Sequence, residues 1–276
     1  MEVASHAAGL PVTFLQEDYL PVSEARNLAA RHAQGEYLIF LDSDCLLPEE
    51  YLQHLTEGLE AEGWDAFGGP DAAPEDFSPL QKAISFSMTS FWTTGGIRGG
   101  TTRTATYYPR GFNMGMKRSV FEAVGGYDVH FKTGEDIDLS IRIQQAGYRV
   151  GLIPKALVWH KRRSTLPQFF KQVRRFGSAR WALAQRHPGQ LKLTHLFPVF
   201  LTLGTLFSIL LGAISGVPLP IVFIGYFLVP AVLAGAQYRS PRIGLLAVAS
   251  TVVMMSGYAY GFMEALLGRG LHTKRG

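Results

Sequence analysis

The sequence predicts an α/β domain with a mixed, mainly parallel sheet, followed by an amphipathic helix and transmembrane helices. Strand-like and helix-like stretches alternate over residues 1–164, a pattern typical of helices that connect the strands of a sheet. Residues 161–192 carry nine bases and no acid, and residues 196–238 carry no charged side chain. The predicted parts are the α/β domain (1–164), a basic interface helix (165–192), two to three transmembrane helices (193–268) and a basic tail (269–276).

Local patterns predict the elements of the α/β domain. Tyr37–Leu41 (YLIFL) is a continuous apolar run, as expected of a strand that is buried on both faces. Ser23 is predicted to cap the first helix, and Gly125 and Gly126 to end a later one. The predicted strands are 11–15, 37–41, 64–69, 148–153 and 156–159. The predicted helices are 23–32, 48–62, 119–124 and 136–146, with a loop and lid over 70–110.

Charge is divided unequally along the chain. Residues 1–138 hold 21 acids and 9 bases, whereas residues 139–276 hold 17 bases and the single acid Glu264. Such asymmetry indicates a surface that faces a membrane or nucleic acid. Three apolar runs of about 20 residues each could cross a bilayer core, so we expect membrane lipids and no nucleic acid as partners. These runs are 196–214, 219–236 and 243–263.

The basic segment 165–192 has an apolar stripe at helical spacing, formed by Leu166, Phe169, Phe170 and Val173. A basic amphipathic helix with aromatic residues is typical of the membrane interface, although a solvated face of a soluble helix remains the alternative. Bases in the loop 237–242 favour the cytoplasmic side. Three full spans would then place the basic tail outside, so one segment could be re-entrant or interfacial.

Two acids directly follow the apolar strand, in the motif Asp42-Ser43-Asp44. Ligands bind beyond the carboxyl ends of strands in open α/β sheets. Two carboxylates at this position could hold Mg²⁺ or Mn²⁺, hard cations that bridge diphosphate oxygens. The alternative role for such acids is a turn or a helix cap.

A second acidic cluster contains Glu135, Asp136 and Asp138 at the start of a predicted helix. These acids could simply complement the helix dipole. In the functional interpretation, Asp136 is a general base that removes a proton from an acceptor hydroxyl. His160, at the end of a predicted strand, could add a neutral imidazole ligand to the metal.

The order of these motifs resembles the family 2 glycosyltransferases with a GT-A fold. The matching stretches are SEARNLAARHAQGEYLIFLDSD, RGFNMGMKRSVFEAVGGYD and GEDIDLSIRIQQAGYRVGLIPKALVWH. The resemblance implies inverting sugar transfer from a nucleotide-diphosphate sugar, with a metal and diphosphate site at Asp42 and Asp44. It also implies Asp136 as the base beside Glu135, Arg26 near the donor nucleotide and His160 near the metal.

Gln172, Arg174 and Arg175 resemble the Q-x-x-R-W motif of membrane-bound synthases, with Phe176 in place of Trp. Arginine can bind phosphate in a bidentate way, and contact with anionic lipid heads is the alternative. The substitution of Trp argues against processive polymer synthesis. The basic helix before a short membrane region resembles bacterial enzymes that build surface polysaccharides or glycolipids. This resemblance implies a glycan or lipid-linked acceptor and a catalytic domain on the cytoplasmic face of the inner membrane.

The start of the chain departs from the family pattern. The family normally opens with a β-α-β unit that binds the nucleotide base, whereas residues 1–10 resemble the tail of its second helix. We therefore expect a truncated chain, a partner that supplies the unit, or a non-catalytic membrane protein that keeps the fold. The sequence argues against a transporter, because the apolar runs carry no charge before Glu264.

Overall fold

A computed structural model describes residues 12–72, 76–95 and 107–269. The predicted helix tail over residues 1–10, most of the basic tail and much of the predicted lid lie outside the described residues. The strands are β1 (Tyr37–Leu41), β2 (Cys45–Leu46), β3 (Ala66–Gly68), β4 (Asp71–Ala72), β5 (Asn113–Lys117), β6 (Val150–Leu152) and β7 (Val158–His160).

The helices alternate with these strands and then continue alone to the end of the described chain. Those of the first part are α1 (Val22–His32), α2 (Tyr51–Glu62), α3 (Pro79–Thr89), α4 (Phe91–Thr94), α5 (Arg118–Ala123) and α6 (Glu135–Gln145). Those of the second part are α7 (Leu166–Arg186), α8 (Leu193–Ser215), α9 (Ile221–Gln237) and α10 (Pro241–Leu266).

The described strands form two small mixed sheets, in the orders β1-β5-β3-β6 and β2-β7-β4. The predicted mixed character is confirmed, but the predicted predominance of parallel strands is wrong. Only the β3–β6 and β4–β7 pairs are parallel among the described strands. The reason is β5. This strand comes after the loop predicted over 70–110 and pairs antiparallel with both β1 and β3.

Strand β1 is buried on one face, so the prediction of burial on both faces is wrong. Leu38 and Phe40 pack into the core with Phe121 and Leu139, whereas Ile39 is exposed. On the opposite face, Tyr37 is half-buried against Phe67, and Ile39 and Leu41 are exposed.

Three further local predictions are wrong. Of the predicted strand 11–15, residue 11 lies outside the described residues and residues 12–15 pair with no described strand. Ser23 lies inside α1, which follows Pro21, and its hydroxyl donates to the Phe131 carbonyl at 3.4 Å. The predicted lid contains α3, whose capping box of Ser78 and Gln81 was visible in the sequence.

Part of the apolar stripe of α7 packs inside the protein, and the position of this helix at a membrane interface stays a prediction. Phe169 and Val173 are buried against α3 and α10. Gly177 and Gly261 allow α7 and α10 to approach closely, because a Cβ atom at either glycine would collide with the main chain of the other helix. The α/β domain and the apolar helices are thus joined through α7.

Helices α8 and α10 are long and apolar enough to cross a membrane, by length and composition. Helix α9 is a shorter apolar helix of 17 residues. The number and orientation of membrane spans, predicted as two to three, stay a prediction.

Candidate active site

Four predicted site residues lie where strand ends and a helix start meet. Asp42 follows β1, Asp44 precedes β2, His160 ends β7, and Glu135 begins α6. Leu41 lies opposite Asn113, so the pairing of β1 with β5 places the loop before β5 beside Asp42. Tertiary pairing thereby assembles motifs that are far apart in the chain.

Arg26 joins the two acidic motifs. Its Nη2 donates to Asp42 Oδ1 at 2.7 Å and to the Gly111 carbonyl at 3.3 Å. Its Nη1 donates to Glu135 Oε1 at 3.0 Å, and the guanidinium lies over the ring of Tyr127. Arg26 therefore neutralises carboxylates in this structure, and its predicted contact with a donor nucleotide stays a prediction.

Glu135 and Asp136 have different surroundings. Burial raises the pKa of Glu135 above its ordinary value and the neighbouring charge of Asp136 raises it further, while Arg26 opposes both effects. Asp136 Oδ2 accepts a hydrogen bond from the Gly111 amide at 3.0 Å, and Oδ1 accepts one from the Ile137 amide at 2.8 Å. These two main-chain donors fix the orientation of the Asp136 carboxylate.

Asp138 points away from these two acids into the protein. Its Oδ2 accepts from Arg142 Nε at 2.8 Å, and its Oδ1 lies 2.7 Å from His187 Nε2. The side chain is fully buried. Asp138 thus faces away from Asp136 and links α6 to the end of α7.

Asp44, Cys45 and His160 form a group that could hold a metal ion. Asp44 Oδ1 lies 3.3 Å from His160 Nε2, and the ligand atoms of all three residues are within 4.8 Å of one another. The antiparallel pairing of β2 with β7 produces this group by placing Cys45 opposite His160. Asp42, predicted as a third ligand, lies outside the group because it faces Arg26.

The ligand types of this group fit a divalent cation. His160 Nδ1 is buried with no hydrogen-bond partner among the described residues and lies 3.7 Å from Asp71 Oδ2. Burial, followed by the charges of Asp42 and Asp44, raises the pKa of the Cys45 thiol to about 12. The thiol is therefore protonated at neutral pH, so the carboxylate and the imidazole are the stronger metal ligands. No sequence motif indicated Cys45 as part of this group, because its proximity to His160 depends on strand pairing.

The structure does not place Gln172, Arg174 and Arg175 beside the acids that follow β1 or begin α6. Arg174 forms a two-pronged ion pair with Glu264 of α10, at 2.6 and 2.9 Å, and lies over the ring of Tyr260. Arg175 is exposed and Gln172 is half-buried. The ion pair occupies the guanidinium that was predicted to bind phosphate, so Arg174 joins helices in this structure.

A cavity of about 640 Å³ opens beside Glu135 and Asp136. Its walls come from the start of α6 and from α3, α4, α7, α8 and α10. Most of its lining is apolar, but Arg110 and Arg180 also face it. No sequence motif indicated either arginine, although Arg180 follows Val173 by seven residues and thus shares the inward face of α7.

Known proteins resemble this chain over part or most of its length. Residues 37–237 match the family described as "Glycosyl transferase family group 2". The succinoglycan biosynthesis protein ExoA of Rhizobium meliloti (strain 1021) is 29% identical over 248 residues, covering 88% of this chain and 73% of that protein. The pre-mycofactocin glycosyltransferase of Mycobacterium tuberculosis is 31% identical over 123 residues, covering 41% of this chain and 26% of that protein.

A solved structure supports the fold. The mannosyltransferase PcManGT from Pyrobaculum calidifontis, in complex with GDP-Man and Mn²⁺, aligns with a TM-score of 0.56 at 19% identity, covering 96% of this chain and 72% of that chain. This likeness confirms the predicted GT-A-type fold. Together with the family match over most of the chain, it leads to one conclusion: the chain belongs to glycosyl transferase family group 2 and is a glycosyltransferase.

Proposed function

We propose that the protein transfers a sugar, with inversion, from a nucleotide-diphosphate sugar to a glycan or lipid-linked acceptor. The observation that carries this proposal is the position of Asp136 at the cavity while Arg26 links its neighbour Glu135 to Asp42. In this arrangement the Asp136 carboxylate, which can take a proton, lies beside the proposed site for the donor diphosphate. The reaction takes place at the cytoplasmic face of the inner membrane.

Asp44 and His160 would hold Mg²⁺ or Mn²⁺, with Asp42 two residues before Asp44 in the chain. When bound, the metal neutralises charge on the departing diphosphate. The imidazole favours Mn²⁺, since Mg²⁺ prefers oxygen ligands. The Pyrobaculum mannosyltransferase, which was solved with Mn²⁺ bound, supports the same choice.

Asp136 would act on the acceptor. Its carboxylate takes the proton of the acceptor hydroxyl as that oxygen attacks the anomeric carbon, and the bond to the diphosphate breaks on the opposite side. The hydrogen bonds from Gly111 and Ile137 orient the carboxylate before the acceptor arrives. Such orientation lowers the barrier because less entropy is lost in the transition state.

Metal removal tests this function. The purified chain in detergent, given UDP- and GDP-linked hexoses with a membrane lipid extract, should release nucleoside diphosphate only when Mn²⁺ or Mg²⁺ is present. EDTA should abolish the release and excess Mn²⁺ should restore it. If the chain bound none of these nucleotides in the presence of Mn²⁺ or Mg²⁺, it would instead be a non-catalytic protein that keeps this fold.

Membrane attachment gives a separate prediction. The whole chain should remain with membranes in high salt and be released only by detergent, because the burial of apolar spans is insensitive to ionic screening. Sedimentation of washed membranes followed by immunoblotting measures this distribution. Recovery of the chain as a monomer without detergent would contradict the transmembrane assignment of α8 and α10.

A further inference from the structure

The two nitrogens of the His160 ring face different carboxylates. Nε2 lies 3.3 Å from Asp44 Oδ1, on the side of the candidate metal group. Nδ1 lies 3.7 Å from Asp71 Oδ2, and it is buried without a hydrogen-bond partner among the described residues. The imidazole therefore stands between a carboxylate that could share its metal and a second carboxylate, that of Asp71, on its other side.

Packing fixes the orientation of this ring. Phe112 stacks on it, with the ring centroids 5.0 Å apart and an angle of 26° between the planes. The main chain of His160 is fixed by the pairing of β7 with β2, where His160 lies opposite Cys45. The ring plane cannot turn without breaking the stack, so Nδ1 stays on the side of Asp71.

Two independent contacts hold Asp71 beside His160. Strand β4 runs parallel to β7 and places Asp71 opposite Val158, two residues before His160. Arg162 Nη2 lies 2.6 Å from Asp71 Oδ2, and both side chains are largely buried. The main-chain carbonyl of Arg162 in turn accepts a hydrogen bond from Gln81 Nε2 of α3 at 3.1 Å. A strand pair and an ion pair thus determine the position of the carboxylate that faces Nδ1.

The chemistry of a metal-bound histidine gives this carboxylate a role. A histidine that binds a metal through Nε2 carries its proton on Nδ1, and a buried N–H group without an acceptor costs free energy. Carboxylates commonly accept this hydrogen bond, which orients the ring and makes the other nitrogen a better ligand. Asp71 Oδ2 lies 3.7 Å from Nδ1 in this structure, and a movement of about 1 Å brings the pair to hydrogen-bond distance.

Asp71 is poorly placed to be a metal ligand itself. The ligand atoms that lie within 4.8 Å of one another belong to Asp44, Cys45 and His160, and Asp71 is outside this group. Its Oδ2 atom faces both Nδ1 of His160 and the guanidinium of Arg162. A cation at this oxygen would lie beside a buried positive charge, which is unfavourable.

We propose that Asp71 is a positioning residue of the metal site. It accepts a hydrogen bond from Nδ1 of His160 and thereby keeps Nε2 directed at the cation that Asp44 shares, while Arg162 holds the Asp71 carboxylate in place. The proposal rests on the metal site of the proposed function. It assigns to Asp71 an effect on metal affinity that acts through His160 alone.

Mn²⁺ binding to the purified full chain in detergent tests this role without any sugar transfer. Free Mn²⁺ is measured by its electron paramagnetic resonance signal. Asp71→Asn should weaken Mn²⁺ binding about 10–100-fold, the usual effect of removing the carboxylate that supports a histidine ligand. Asp71→Glu retains a carboxylate and should bind Mn²⁺ more tightly than Asp71→Asn.

A double-mutant cycle separates positioning from direct coordination and from a general loss of structure. In the His160→Ala background, Asp71→Asn should cause no further loss of Mn²⁺ affinity, because its effect passes through the imidazole. A further loss of similar size would overturn the proposal. If His160→Ala binds too little Mn²⁺ to titrate, the ratio of Mn²⁺ to Mg²⁺ affinity replaces the cycle. This ratio should fall in Asp71→Asn because Mg²⁺ prefers oxygen ligands, and an unchanged ratio would overturn the proposal.

Two further variants control for charge and folding. Asp65→Asn also removes a partly buried carboxylate from an ion pair, with Lys117 at 2.8 Å, but Asp65 precedes β3 whereas Asp71 follows it. This control should leave Mn²⁺ binding unchanged. If Asp71→Asn does not fold because the buried Arg162 has lost its carboxylate, the double variant Asp71→Asn with Arg162→Gln removes both charges. It should show the same loss of Mn²⁺ affinity.

Nucleotide binding separates the failure of this proposal from the failure of the proposed function. If the wild type binds Mn²⁺ and nucleoside diphosphate, and Asp71→Asn binds Mn²⁺ equally well, the positioning role alone is wrong. If Mn²⁺ affinity depends on His160 and Asp71 but the wild type binds neither UDP nor GDP, the proposed transfer function is wrong and the positioning role stands. A wild type that binds no Mn²⁺ would overturn both the metal site and the role of Asp71.

Discussion

Asp136→Asn is expected to slow sugar transfer by about 10²–10⁴-fold, the usual cost of losing a general base. Asparagine keeps the size of the side chain but cannot take the acceptor proton. Both carboxylate oxygens of Asp136 accept main-chain hydrogen bonds, so the amide group of asparagine will also lose one of them. Initial rates of nucleoside diphosphate release measure the effect, and nucleotide binding should survive because the base acts on the acceptor.

Asp138→Asn is the informative comparison for this variant. Asp138 is buried between Arg142 and His187, so its replacement should lower the melting temperature by weakening a buried ion pair with Arg142 and a hydrogen bond with His187. If Asp136→Asn retained near-normal transfer while folded Asp138→Asn was inactive, the choice of base would be wrong. If single variants of Glu135, Asp136 and Asp138 were all active, the cluster would only stabilise the start of helix α6.

Asp44→Asn is expected to remove most metal-dependent transfer, because loss of a charged metal ligand costs several kcal/mol of transition-state stabilisation. Asp44 lies 3.3 Å from His160, and its oxygens have no arginine partner among the described residues. The rate measured against Mn²⁺ concentration should show a reduced maximum, a raised Mn²⁺ requirement, or both. The fold should be unchanged, since the side chain is partly exposed.

Asp18→Asn is a matched control for this variant, because Asp18 is exposed and far from the motif along the chain. Asp42→Asn offers a second comparison. Asp42 pairs with Arg26, so its replacement should also disturb the contact between Arg26 and Glu135. Undiminished turnover of Asp44→Asn at low Mn²⁺ would rule out Asp44 as a ligand.

Local sequence patterns were sufficient for most helices and for strand β1. The apolar run of Tyr37–Leu41 predicted a strand, and the structure confirms it, with Asp42 directly after its end. Strand β5 escaped prediction because NMGMK has neither a strong β-forming composition nor a regular alternation. Its antiparallel insertion between β1 and β3 depends on contacts between distant parts of the chain.

The amino-acid sequence by itself determined the fold class, the order of the acidic motifs and the apolar character of the C-terminal helices, because these depend on local composition and spacing. Only the tertiary structure decided which charges meet. Arg26 pairs with Glu135 across 109 positions of the chain, and Arg174 pairs with Glu264 across 90. The cavity with Arg110 and Arg180 likewise exists only after α7 packs on α10. Ion pairing and burial act through distance in space, which spacing along the chain does not specify.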